Sequence, residues 1–314
     1  MHLAKKFAAA AMLGLAIGAH AQDRTRGEAC LAPGAWYALA DDATRAVQAH
    51  DLMQQMAARE VVLLGERHDE TSHHQWQLQT LAALHLLRPD MVIGFESFPR
   101  RVQPALDRWT AGELTVEQFL AQTEWTKVWN FAPELYLPLF HFARLNRIPM
   151  VALNVERSLT QAVRTKGWDA VPAEQKEGVS RPAPPSDSYR EVLYEAFARH
   201  ARNSKGKSAA ADRDSAAFHF FVEAQQTWDR AMAEALAARA AAAGNARPLV
   251  VGIMGSGHVR GRHGVPHQLR ALGVRSVGVL LPVDASGDCS EFNPDIADAV
   301  FAVPRLPNKV APQP

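Results

Sequence analysis

The run Glu60-Val61-Val62-Leu63-Leu64-Gly65-Glu66-Arg67-His68-Asp69 decides the fold class. Its apolar residues follow one another without polar alternation. That pattern suits a strand covered on both faces, the environment of a parallel sheet. The segments Met91–Phe95, Pro149–Leu153, Leu249–Met254 and Arg275–Leu281 repeat it, so the reading is five buried strands with the first at Glu60–Leu64. Helical spacing fills the intervals. Trp76, Leu78, Leu81, Leu84 and Leu87 predict a helix over 71–87, closed by Pro89. Leu135, Leu139, Phe142 and Leu145 predict another over 133–146, and Val265–Leu272 a short one. Strand–helix alternation of this kind predicts an α/β fold, a mostly parallel sheet flanked by helices.

The stretch 158–247 breaks the alternation and shows no strand pattern. It opens on a Pro/Ser-rich loop, Arg181-Pro-Ala-Pro-Pro-Ser-Asp187. A helix follows at Tyr189–Arg202, then a Lys/Ser/Ala connector after Asn203, then a long helix from about Asp214 to Ala243 with Gly244-Asn245 as its C-cap. The expected organisation is a discontinuous sheet domain, 22–157 and 248–303, with a smaller all-helical insert at 158–247. The proline-rich 304–314 reads as a disordered tail.

Lys5 and Lys6, the apolar run Phe7–Gly18 and Ala19-His20-Ala21 have the layout of a secretory signal peptide, 1–21, cut after Ala21. The expected location is therefore the periplasm or the medium, with no integral membrane segment after cleavage. Loss of Lys5 and Lys6, with no acid, takes the formal net charge from +1 to −1. A near-neutral chain argues against a nucleic-acid partner. Cys30 and Cys289 are the only two cysteines. In an oxidising compartment they form either one bridge or two separate thiols.

Polar residues cluster where the strands end. Gly65-Glu66-Arg67-His68 follows the first strand, Glu96 the second, Asn154-Val155-Glu156-Arg157 the third and Gly255-Ser256-Gly257-His258 the fourth. Ligands of open parallel sheets bind outside the carboxyl ends of the strands, so these motifs face one crevice. Glu66, His68, Glu96 and His258 have the donor types of a divalent-metal site. They equally suit acid–base work, because crowded carboxylates shift one another's pKa.

Taken in order, Gly65-Glu66-x-His68-Asp69 with His73-His74, Gly94-Phe95-Glu96, Asn154-x-x-Arg157 and Gly255-x-Gly257-His258 resemble the ChaN family. This is the haem-binding uptake branch of the Tiki/TraB/erythromycin-esterase superfamily. Trp129…Tyr136-x-Pro138, the Tyr189…Leu193…Phe197…His200 stretch and Phe221-Val-Glu-Ala-Gln225-Gln-Thr-Trp228-Asp229-x-x-Met232-Ala233 extend the resemblance over roughly 50–285. It implies a large parallel-sheet domain with a smaller helical one. It also implies an iron-regulated haem-binding protein at the surface or in the periplasm, and a homodimer holding two haems. Many members look like lipoproteins, and this chain lacks the lipid-attachment cysteine.

A haem iron takes a tyrosinate oxygen or an imidazole nitrogen. Tyr136, at the start of a helix after the Trp/Pro-rich loop, is the first candidate, with His73 and His74 beside it. His263 and His267 lie close to His258 in sequence and read equally well as solvated side chains. The competing function is a metal-dependent peptidase or esterase. There Glu66, His68, Glu96 and His258 hold the metal or activate water, and Asn154 and Arg157 complete the site, the arginine stabilising negative charge.

Overall fold

The computed structural model describes residues 31–40, 43–203, 212–241, 247–285, 292 and 294–304. The segments read as signal peptide and proline-rich tail, both cysteines, the Lys/Ser/Ala connector and the Gly244-Asn245 cap lie outside these residues.

An eight-stranded sheet forms the centre, in the order β2-β1-β8-β7-β3-β6-β4-β5. The chain enters through β1 (Trp36–Ala40), β2 (Ala43–Val47) and helix α1 (Ala49–Ala57). Then come β3 (Val61–Glu66), α2 (Thr71–Leu87), β4 (Met91–Pro99), α3 (Gln103–Thr110), α4 (Val116–Gln122), α5 (Trp125–Val128), α6 (Pro133–Leu145) and β5 (Met150–Asn154). Helices α7 (Arg157–Lys166), α8 (Asp187–Asn203) and α9 (Ala216–Ala240) precede β6 (Leu249–Gly255), α10 (Gly264–Ala271), β7 (Val277–Asp284) and β8 (Ala299–Val303). Strands β8-β7-β3-β6-β4-β5 run parallel, and β1 joins β8 and β2 antiparallel.

All five strands read from the sequence form, each at or within two residues of its expected start. Strands β1, β2 and β8 are additions. Each has two alanines, weak strand formers, among its five residues, and Thr44 and Arg45 interrupt β2. Helix α2 spans the expected residues, and α6, α8, α9 and α10 lie close to theirs. Helices α1, α3 to α5 and α7 are additions. Helix α7 is short and polar, and only Leu159 and Val163 of its residues are buried, too few to set a readable period.

Alternation along the strands assigns each residue to a face. Val62, Leu64, Ile93, Phe95, Val251 and Ile253 pack with Trp76, Leu81, Leu84, Leu106 and Phe140 under α2, α3 and α6. Val61, Leu63, Val92, Val250 and Met254 pack on the other side with Met232, Leu236, Val265 and Leu269 of α9 and α10. The region 158–247 thus contributes a long helix directly to one face of the sheet, and its regular elements are helical.

Strand β6 returns late in the chain to fill the gap between β3 and β4. The connection from β3 runs to one side and that from β6 to the other. Their carboxyl ends form a topological switch point, where open α/β sheets place their ligands.

Candidate functional site

Register fixes what meets at this edge. Glu66 pairs with Gly255 across β3 and β6, and Phe95 with Ile253 across β4 and β6. Glu66 is even with Val62 and Leu64, so it falls on the α2/α6 side. Glu96 alternates with Phe95 and falls on the α9/α10 side. The two carboxylates lie on the strands that flank β6 and enter different environments.

On the first side, Glu66 is 2% exposed. Its Oε1 accepts from the Tyr136 hydroxyl at 2.5 Å and lies 2.8 Å from His68 Nδ1. Its Oε2 accepts from Gln77 Nε2 at 2.8 Å and lies 3.4 Å from His74 Nδ1. His74 Nε2 donates to the His68 carbonyl at 3.2 Å, which ties α2 to the chain leaving β3. His73 Nδ1 accepts from the Arg67 backbone N–H at 2.9 Å. Burial pushes His73 down to about 4, so it is a neutral acceptor. Burial, then the Glu66 charge, raise the Tyr136 phenol well above its usual range, and it keeps its proton as donor to Glu66.

On the second side, Glu96 Oε2 accepts from the Gly255 N–H at 2.7 Å, and Oε1 lies 3.3 Å from His258 Nε2. His258 Nδ1 contacts Asp229 Oδ1 at 2.6 Å, and the Tyr189 hydroxyl donates to Asp229 Oδ2 at 2.8 Å. Glu96, Asp229 and His258 are all buried. Burial opposes the imidazolium, but the Glu96 charge and the Asp229 hydrogen bond outweigh it and push His258 up to about 10. Burial likewise opposes the Glu96 carboxylate, and the His258 charge nevertheless holds it below the usual range. Burial raises Asp229 despite its bond to His258.

His68 stands between the two sets. Its side chain is 28% exposed, with the ring edge-on to Trp129 at 4.6 Å and near Phe131 at 5.3 Å. Burial lowers its affinity for a proton, but the Glu66 hydrogen bond and the Glu96 charge raise it further. A Cβ on Gly255 would stand 2.9 Å from His68 Cε1, so this glycine lets the imidazole lie against β6.

The four-ligand metal set therefore finds no support. Among the described residues no group of three or more His, Cys, Asp or Glu side chains could hold a metal ion. Strand alternation separates Glu66 from Glu96, and His258 turns to Asp229 on α9. Asn154 donates from Nδ2 to the Glu96 carbonyl at 2.9 Å and accepts the Val155 N–H at 2.8 Å, so it braces backbone. Arg157 is exposed and donates to the Val128 carbonyl at 3.4 Å. Together with Trp129, Lys127 and Trp228 it lines a crevice of about 840 Å³, mouth included. Tyr136 and His74 gather around Glu66 with their polar atoms engaged, and His73 lies next to them against the Arg67 backbone.

Sequence reasoning named neither Gln77 nor Asp229 and Tyr189 as site residues. Asp229 gave a signal, an acid inside an apolar, alanine-rich helix, and it is fully buried. Tyr189 was readable as the start of a helix and as part of a stretch that carries the family resemblance.

A second, more open concavity lies beside this edge. It is lined by Ser186, Tyr189 and Val192 of the α8 region, the loop from Arg260 to His263, His267 and Arg270 of α10, and Asp295 and Ile296. It encloses about 1520 Å³, mouth included.

A mostly parallel sheet with carboxylates and imidazoles gathered at its switch point places this chain in a definite class of α/β proteins. The family described as haem-binding uptake, Tiki superfamily, ChaN matches residues 52–269, and the chain belongs to it. The solved structure described as cofacial haem binding to ChaN of Campylobacter jejuni is similar, with a TM-score of 0.62 at 18% identity over 85% of this chain and 96% of that one. RRSP, a toxin effector domain from Vibrio vulnificus, gives 0.41 at 18% identity over 84% of this chain and 41% of that one. An erythromycin esterase, EreC, in its open conformation gives 0.41 at 10% identity over 79% and 76%. No curated protein sequence matches the chain. No helix among the described residues is long and apolar enough to cross a membrane.

Proposed function

We propose that this protein binds haem in the service of iron uptake. The carrying observation is the family match over residues 52–269. The likeness in fold to a haem-binding ChaN supports it. Haem is here a cargo that supplies the iron, and the chain's own work is to seat a flat apolar ring, neutralise two carboxylates and offer one axial donor.

The strand-end clusters are built for something else. The Tyr136 oxygen is enclosed and gives its proton to Glu66, His74 is buried with both ring nitrogens engaged, and His73 is buried with its Nδ1 held by the Arg67 N–H. An iron atom would have to open that shell. Outside it the chain presents groups that fit a haem, arginines and imidazoles next to apolar walls. The reading therefore assigns haem contact to side chains outside the Glu66 and Glu96 clusters, which brace the sheet edge.

Titrating haemin into the purified protein tests this. Saturable growth of a shifted Soret band is expected, and a spectrum equal to free haemin at every ratio would end the reading. Two further parts of the proposal are separable. Export is expected because residues 1–21 have the layout of a signal peptide. Fractionation of cells making the chain with and without those residues should move it between periplasm and cytoplasm. Cofacial haems need two chains face to face, so light scattering should report a homodimer when haemin is present.

A further inference from the structure

The crevice at the carboxyl ends of β4 and β5 gathers hydrogen-bond donors that the chain leaves unused. Counted as internal cavity it holds about 270 Å³, just under the roughly 300–1,000 Å³ usual for small-molecule sites. It suits a small acid, or one arm of a larger ligand, and not a whole macrocycle.

The backbone supplies the first donors. Helix α7 is ten residues long and begins at Arg157, and the preceding Glu156 makes no side-chain cap. The Leu159 N–H reaches the Glu156 carbonyl at 3.0 Å, and the Glu156 N–H donates to the Glu177 carboxylate at 3.1 Å. The Arg157 and Ser158 N–H groups have no hydrogen-bond partner among the described residues. Both residues line the crevice. Orphan N–H groups at a helix start carry the positive end of its dipole and attract anions. No acid stands in this first turn, and its first residue is a cation where the dipole favours negative charge.

Side chains add to them. Glu156 turns its carboxylate to Arg101, which Glu124 shares, and Lys127 Nζ lies 3.4 Å from Glu124. Arg157 has no acid partner among the described residues, and its one hydrogen bond is to the Val128 carbonyl at 3.4 Å. Ser97, 3% exposed, lines the crevice, and its hydroxyl has no partner among the described residues. The Trp228 indole N–H, on the same lining, is enclosed and equally without one. A buried donor without a partner is costly, and native chains rarely leave two beside one crevice. The walls between these donors are apolar, from Val128, Trp129 and Val155.

We propose that this crevice binds a carboxylate carried on an apolar body, held by the Arg157 guanidinium, the open N–H groups of α7 and the Ser97 hydroxyl. Arginine matches a carboxylate in a bidentate fork, and the apolar walls take the body. The carboxylate belongs either to a free organic acid or to a haem propionate. The site does not depend on the haem-binding reading in the first case, and rests on it in the second.

The test uses the whole chain and three variants, Arg157→Ala, Ser158→Glu and Ser97→Ala. Benzoate is titrated into each while amide and indole N–H signals are followed by NMR. The Arg157 and Ser158 amides and the Trp228 indole should show the largest shifts in wild type. Arg157→Ala and Ser158→Glu should each weaken benzoate at least about tenfold, the scale of a charge-assisted hydrogen bond, and Ser97→Ala about threefold. Ser158 is exposed and glutamate suits a helix start, so Ser158→Glu keeps the fold while it repels the ligand. Haemin and haemin dimethyl ester separate the two sources. A propionate is the ligand if Arg157→Ala and Ser158→Glu weaken haemin and spare the ester, and a free acid if they weaken benzoate alone. Benzoate and haemin each unaffected by both variants would overturn the crevice site, even with haemin bound by wild type. A wild type that takes benzoate in the crevice and no haemin would end the haem reading and leave the site standing.

Discussion

Glu66 and Glu96 form a natural pair for comparison. Both lie towards the carboxyl ends of the strands that flank β6, both are 2% exposed, and both touch histidine. Glu66 sits among hydroxyl, amide and imidazole groups from α2 and α6. Glu96 faces His258, which is backed by a second buried carboxylate, Asp229. The first cluster is a hydrogen-bond hub, and the second is a buried acid–base–acid ion chain. Residue type does not decide this. The face of the sheet does, through the period of two along each strand. The open cavity beside α8 contrasts with both, because the imidazoles and arginines that line it stay partly exposed to solvent.

This contrast can be broken most forcefully at His258. Removing one partner of a buried ion set leaves uncompensated charge, at a cost of about 3–5 kcal/mol. His258→Ala should lower stability by about that much in urea unfolding, and a loss under about 1 kcal/mol would mean that the set is not charged. Replacing the Tyr136 hydroxyl asks less, since Glu66 keeps Gln77 and His68 as partners. Tyr136→Phe is expected to cost about 1.5–3 kcal/mol, the range for hydrogen bonds to charged groups. It should leave the haemin spectrum unchanged, and an altered Soret band would return Tyr136 to the iron. Gly255→Ala should cost about 1–3 kcal/mol by forcing His68 aside, the scale of an overpacked site. Its clearest mark would be a moved His68 imidazole signal by NMR, and an unmoved one would count against the close approach.

pH sharpens the same comparison, with opposite signs on the two sides. His258 has a folded value near 10 against about 6.5 unfolded. Its contribution is complete below about 6.5 and fades as pH rises toward 10. His73 is depressed to about 4, so its neutral form supports the fold above about 6.5, and that support is lost as pH falls toward 4. His258→Gln should flatten the alkaline limb of a stability–pH curve and His73→Gln the acid limb. Each variant flattening the other's limb would overturn the assignment.

Much of this was readable in residue order. Continuous apolar runs gave the five parallel strands β3 to β7, because a strand covered on both faces has no polar side to show. Strands β1, β2 and β8 stayed hidden because each is five residues long with two alanines, weak strand formers, and Arg45 breaks β2. The polar motifs at the strand ends were legible as a set, and Glu66 with His68 and Glu96 with His258 do come together. Their union into one metal site was not borne out, because a strand-end rule counts residues and ignores which face each one takes. Asp229 completes the second cluster from α9, although 29 residues separate it from His258.

By itself, then, the sequence determined an α/β sheet whose central strands end in glutamates, glycines and histidines, and the motif order that marks the family. Local propensity and hydrophobic period are properties of neighbouring residues, and they carry that much. The tertiary structure alone decided that the carboxylates part to opposite faces, that Tyr136 serves Glu66, and that His263 lies on Tyr189 beside a basic cavity. Those outcomes depend on strand order, register and the packing of α8, α9 and α10, which bring together groups that no short-range pattern connects.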